Sequence, residues 1–205
     1  MVLWYIKKIN QMKKNYQEKE FVAKLRSDLE KHFNVLPSEK VMINALTGKR
    51  MKADLICFIR EGTPEIAGEF FTVECKKAFG KKVRPISDAF HQASEHVNES
   101  DFNGKKALFG LVASPESYSP PILPINPEIT QKDKNRVKRW IQVLTQHEAL
   151  RNIGWLQVEH GELKMMMSKA ETGQWLYTEC DGFDLEQLAQ KQGSKRVRTY
   201  RNESV

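Results

Sequence analysis

Apolar residues recur at steps of three and four over residues 15–33. Phe21, Val22, Leu25, Leu29 and Phe33 form one stripe with charged residues between them, and that spacing predicts an amphipathic helix. Pro37 closes the region. The period then changes. ADLICFI (53–59) and EFFTVEC (69–75) are short apolar runs, which predict two strands. Glu61-Gly62-Thr63-Pro64 between them supplies turn residues, so a hairpin-like pair is the simplest arrangement. From Pro85 to about Asn98 the helical step returns, with Ile86, Ala89, Phe90, Ala93 and Val97 as its buried stripe. ALFGLVA (107–113) has the length and composition of a buried central strand. The proline-rich stretch SPESYSPPILPINP (114–127) predicts an exposed loop. Residues 130–150 predict a further helix with Val137, Trp140, Ile141 and Leu144 inward. WLQVE (155–159) and ELKMMM (162–167) flank His160-Gly161 and predict a second hairpin.

The expected fold is therefore α/β: a central mixed β-sheet flanked by helices, with a C-terminal helix and β-hairpin added. A length of 205 residues suits one domain. We place it at residues 1–190, with its core at about 15–115. Residues 191–205 are polar and basic, and read as a disordered tail.

Composition narrows the classes. Apolar residues make up 40% of the chain, enough to build a core at this length. Lys and Arg total 33 against 26 Asp and Glu, a net charge of +7, which points to a polyanionic partner. No apolar run approaches the ~20 residues that cross a bilayer, so no membrane partner is expected. The start, MVLWYIKKI, is apolar first and basic second, the reverse of a secretory signal. Three widely spaced cysteines, Cys57, Cys75 and Cys180, suit reduced thiols in a cytoplasmic protein. No HExxH, phosphate-binding glycine loop or GxSxG elbow occurs, so zinc-dependent proteolysis, nucleotide-driven work and α/β-hydrolase chemistry are unsupported.

Asp54 stands at the start of the first predicted strand. On the second, Thr72, Glu74 and Lys76 alternate with Val73 and Cys75, so Glu74 and Lys76 project to the same side. Two carboxylates and an ammonium then converge at the ends of paired strands. Carboxylate oxygens suit a hard divalent ion such as Mg²⁺. Such an ion acidifies water and neutralises charge that builds on a phosphate.

Ala53-Asp54 followed twenty positions later by Glu74-Cys75-Lys76 resembles the motif of the PD-(D/E)xK nuclease superfamily. The motif's proline is replaced here by Ala53. The resemblance implies a restriction-endonuclease-like fold and a metal-dependent DNA endonuclease that hydrolyses phosphodiester bonds. It implies Asp54 and Glu74 as ligands of Mg²⁺, with Mn²⁺ as a substitute, and the Cys75 carbonyl as a further ligand. Lys76 would assist the attacking water. Members of the family often pair to cut both strands, which implies a homodimer.

Two helical positions extend the match. Glu18 falls on the stripe of Phe21, Val22, Leu25 and Leu29, where the family often carries an acid facing the site. A solvated glutamate supported by the helix dipole is the competing reading. Gln92 matches the Gln of a Gln-x-x-x-Tyr pattern found in some branches, as a water or phosphate contact. His96 replaces the Tyr, and an ordinary polar helix face is its simpler reading. A second Glu-x-Lys, Glu162-Leu163-Lys164, lacks a preceding strand-borne Asp and reads as a solvent-exposed hairpin edge.

The basic charge is clustered. Lys76, Lys77, Lys81, Lys82 and Arg84 fall within nine positions with no acid among them, just beyond the candidate site, where they can hold backbone phosphates. Lys132, Arg136 and Arg139 share a face of the third helix and can track phosphates, although a solvated face is common for such runs. The expected partner is DNA, with RNA ranked lower. The alternative reading is a non-catalytic nucleic-acid-binding or partner-docking module on the same scaffold.

Overall fold

A computed structural model of the chain describes residues 18–36, 41–45, 47–60, 68–79, 84–119, 130–144, 152–168 and 175–179. Helix α1 covers 18–29. Four short strands follow: β1 (Phe33–Leu36), β2 (Val41–Asn44), β3 (Arg50–Lys52) and β4 (Leu55–Ile59). Next come β5 (Phe70–Cys75), helix α2 (Arg84–Asn98), β6 (Ser100–Phe102), β7 (Lys105–Lys106) and β8 (Gly110–Ala113). A 3₁₀ turn at Pro115–Ser117 leads to β9 (Tyr118–Ser119), then α3 (Gln131–Leu144). The chain continues through β10 (Ile153–Glu159), β11 (Glu162–Ser168) and β12 (Trp175–Glu179).

The main sheet has eight strands in the order β1-β4-β5-β8-β10-β11-β12, with β9 beside β10. It is mixed. β4 pairs antiparallel with β1 and β5, β5 runs parallel to β8 and β8 to β10, and β11 is antiparallel to β10 and β12. A smaller sheet has the order β3-β2-β6-β7.

Both faces of the main sheet are covered, which explains why its central strands are apolar almost throughout. Phe21, Leu25 and Leu29 of α1 pack with Leu55, Cys57, Val73, Cys75 and Leu111 on one face. Ile86, Ala89, Phe90, Ala93 and Val97 of α2 pack with Ile56, Phe70, Val112 and Ile153 on the other. The alternation of side chains along each strand divides it between these two cores. Gly110 lets α2 sit close, because a Cβ there would stand 2.9 Å from Val97 Cγ2 and 3.2 Å from the Ala93 carbonyl oxygen. A buried polar strap fixes α1. Asp28 is contacted by Lys24 and by Lys31, and accepts a hydrogen bond of 2.9 Å from the hydroxyl of Tyr118 on β9. Burial would raise the Asp28 carboxyl, but the bonds from Lys24, Lys31 and Tyr118 outweigh it and hold it below its usual range.

Several expectations are corrected. Phe33 does not extend the first helix. It opens β1, where it faces Ile59 and stacks edge-on against Phe71. The stretch from Ser114 to Tyr118 is buried rather than exposed. Ser114 caps the 3₁₀ turn by accepting from the Glu116 amide, and Pro115 occupies a position that needs no amide hydrogen. Residues 120–129 lie outside the described residues. The second hairpin is no separate addition, since β10 pairs with β8 and continues the central sheet. Glu162 and Lys164 therefore lie on a strand flanked on both sides, not on a sheet edge. Trp140 is 37% exposed while Val137 is buried, so α3 turns Trp140 outward. The side chains of Ile141 and Leu144, the turn at Glu61–Pro64 and the tail from Lys191 lie outside the described residues. No described helix is long and apolar enough to cross a membrane.

Candidate functional site

The site begins with the register of β4 against β5. Leu55 pairs with Val73 and Ile56 with Thr72, so one further step sets Asp54 opposite Glu74. Residues directly opposite share a face. Asp54 is pinned there: its Oδ2 accepts the backbone amide hydrogen of Cys75 at 2.7 Å. The next amide, that of Lys76, donates to the Ala113 carbonyl at 2.8 Å. The end of β5 is thereby held from both sides, by the Asp54 side chain and by β8.

Glu74 is only 7% exposed. Lys76 reaches back along its own strand, with Nζ 2.5 Å from Glu74 Oε1. The other carboxylate oxygen faces α2, where His96 Nε2 lies 3.9 Å from Glu74 Oε2. His96 is 4% exposed, and its Nδ1 is buried without a hydrogen-bond partner among the described residues. The expectation of a merely polar helix face is thus wrong for His96. It stands seven residues after Ala89, which puts it on the buried face of α2. That heptad step is the signal through which the sequence could have shown it.

Glu18 is half-buried and lines, with Asp54, Leu55, Lys19, Val22, Ala23 and Arg26, an open cleft of ≈ 490 Å³. Gln92 is exposed on α2 and its side chain forms no hydrogen bond with these groups among the described residues. The Cys75 thiol is buried in the α1-side core, and burial, with the charges of Asp54 and Glu74, holds its pKa far above the usual thiol range. Any role for Cys75 falls to its backbone.

Electrostatics set the site apart from an ordinary ion pair. Burial raises the Glu74 carboxyl to about 7, and the charges of Asp54 and Glu18 add to it. Lys76 opposes the rise without cancelling it. Burial also raises Asp54, against the Cys75 amide and Lys76, with Glu18 adding to the rise. Burial and the Lys76 charge depress His96 to about 4, so its ring is neutral near pH 7.

This donor set fits a hard divalent cation. Among the described residues, no three His, Cys, Asp or Glu side chains form a group that could hold a metal by themselves. Mg²⁺ does not need such a cage, since it binds through one or two carboxylates and keeps water or phosphate oxygens for the rest. Asp54 and Glu74 supply that pair, and a cation between them would offset the burial that raises both.

The basic residues divide. Lys77 is exposed, and so is Arg84, which lies 3.8 Å from Asp88. Lys81 and Lys82 lie outside the described residues. On α3, Lys132 and Arg139 are exposed, whereas Arg136 is half-buried and tied to Asp133 at 3.0 Å. No protein-family model, curated protein or solved structure matches this chain.

Proposed function

We propose that this protein is a metal-dependent DNA endonuclease of the PD-(D/E)xK type, with a restriction-endonuclease-like fold, that hydrolyses phosphodiester bonds. One observation carries the reading: Asp54, just before β4, accepts the Cys75 amide of the paired strand, next to Glu74 and the Lys76 that contacts it. Two crowded carboxylates beside an ammonium are a poor stabilising device, because burial costs more than the pairing returns. They are a good device for cation-assisted phosphate chemistry.

Asp54, Glu74 and the Cys75 carbonyl would hold Mg²⁺ or Mn²⁺. When bound, the ion supplies an acidified water and neutralises charge on the phosphate. Lys76 has one carboxylate contact and is about one-quarter exposed. Its ammonium can therefore orient the attacking water or meet a phosphate oxygen. Glu18, across the open cleft, adds negative charge that favours cation binding. Neutral His96 stands beside Glu74 without adding charge to the site. Lys77 and Arg84 lie just beyond β5, where they can hold the flanking backbone. Water oxygen attacks phosphorus, the bridging ester oxygen leaves, and the products are a phosphate monoester and a hydroxyl.

The test is incubation of supercoiled DNA with the protein in Mg²⁺, Mn²⁺ or EDTA, comparing the wild type with Asp54→Asn and Lys76→Ala. Nicking that needs the metal and is lost in both variants supports the reading. Salt-sensitive DNA binding with no cleavage under any metal overturns it in favour of a non-catalytic binding module.

A further inference from the structure

We propose that the outer face of the smaller sheet is a second DNA-backbone contact, flanking the scissile phosphate on the Asp54 side. This rests on the nuclease reading and adds a surface to it.

The inner face of that sheet is closed. Met42, Asn44 and Ser100 are buried, and Asn44 donates to Glu99 at 3.0 Å. The outer face is open. Ile43 is 52% exposed, and its cross-strand partner on the edge strand is Arg50. Arg50 and Lys52 alternate with Met51 and share this face. Lys49 precedes them at the Gly48 turn, whose φ of 67° is in the left-handed region. Lys49, Arg50 and Lys52 are all exposed, and none of the three side chains forms an ion pair or hydrogen bond among the described residues. The acid of the row is Asp101, paired in register with Ile43 on one side and Lys106 on the other.

Some exposed cations elsewhere are held by acids, Lys24 and Lys31 by Asp28 and Lys105 by Glu69, whereas here three unpaired cations stand side by side. Three neighbouring cations left without acids repel one another, unless an anion of matching spacing occupies the face. Cations two residues apart on a strand stand ~6.6 Å apart, close to the step between successive phosphates along one nucleic-acid strand. Position supports the assignment. Lys52 lies two residues before Asp54, so β3 leads the chain directly into the site. Lys77 and Arg84 follow β5 in the chain. A DNA backbone that presents a phosphate to Asp54, Glu74 and Lys76 would then meet cations from both segments. β3 is also an edge strand, whose outward amides can donate to phosphate oxygens.

The experiment uses the full chain carrying Asp54→Asn, which separates binding from cleavage. Affinity for a fluorescent DNA duplex is measured by anisotropy across a salt series. Lys49→Gln, Arg50→Gln and Lys52→Gln are then added together, with Lys164→Gln as a control and thermal melting as a check on folding. Three lost phosphate contacts reduce the slope of log K against log salt by about 2–3, and a drop of that size with unchanged melting supports the surface. An unchanged slope in a parent that binds DNA dismisses this face and leaves the nuclease reading standing. A parent that shows no salt-dependent DNA binding overturns both. Should the triple variant melt early, the single Lys52→Gln change must still lower the slope by about 1, and failure to do so also dismisses the face.

Discussion

The tripeptide pattern Glu-x-Lys occurs twice in this chain, in β5 and in β11, and the two copies behave as different chemical objects. In β5, Glu74 is buried under α2, stands opposite another carboxylate and bonds its own Lys76. In β11, Glu162 is exposed, and Lys164 crosses the hairpin to Glu159 at 2.9 Å. Each lysine meets a carboxylate, yet the outcomes are opposite. Lys164 lowers the half-exposed Glu159 below its usual range, whereas Glu74 rises to about 7 through burial, Asp54 and Glu18 despite Lys76. The lesson is that motif identity does not set a carboxylate's chemistry. Dehydration does: Glu162 also faces a carboxylate, that of Glu159, but stays in water, whereas Glu74 is buried.

The sharpest way to break the comparison is activity. Asp54→Asn and Lys76→Ala are expected to cut metal-dependent nicking by roughly 10²–10³-fold, while Glu162→Gln and Lys164→Ala leave it within about twofold. Equal losses from both sets would erase the distinction. Next in size is pH. Glu74 is raised in the folded state, so its contribution favours folding below its usual value near 4.5. That contribution is lost as pH rises through about 7. Urea unfolding of the metal-free protein should therefore show stability falling across that window by roughly 3 kcal/mol. Glu74→Gln should flatten the fall, and Glu162→Gln should leave it in place.

A smaller effect tests why β5 is dry. Gly110→Ala pushes against Val97 and the Ala93 carbonyl, lifting α2 and its His96. We expect a loss of about 1–3 kcal/mol, read as a lower urea midpoint, with a smaller rise in the Glu74 pKa as water enters. Smallest of all is Lys164→Ala. A partly exposed pair is worth within about 0.5 kcal/mol at moderate salt. Because Glu159 is lowered, that contribution is present above the usual carboxylate value and lost as pH falls below it. Thermal melting at two salt concentrations distinguishes this surface pair from the buried one.

The parts legible in the sequence are those fixed by local periodicity. The stripes of α1 and α2 are visible at steps of three and four, and the β4–β5 pair shows as two apolar runs. Asp54, Glu74 and Lys76 follow from that pair, because register and alternation place side chains without any knowledge of the rest of the fold. The short strands were invisible. β2, β3, β6, β7 and β9 have two to four residues each, too few for a period, and their partners define them. Tyr118 illustrates this, since a proline-rich neighbourhood suggests exposure, while a hydroxyl contact to Asp28 ninety residues away buries it. Trp140 shows the reverse: an aromatic on an apparent helical stripe that α3 turns to solvent. His96 reads from sequence as a polar helix position because its meaning depends on what α2 packs against. A histidine on a helix is ordinary until a strand carrying a glutamate lies beneath it.

The strand order also dictates when the site can exist during synthesis. Glu18, Asp54, Glu74 and Lys76 are all made early, but β5 takes its parallel neighbour from Gly110–Ala113, and that strand leans in turn on Ile153–Glu159. At typical translation rates, ~4–17 s separate residue 76 from residue 159. Until residues 110–113 are made β5 has no β8 beside it, and until residues 153–159 are made β8 has no β10 to lean on. The candidate site is therefore a late event in the life of the nascent molecule, completed by segments that contribute none of its acids.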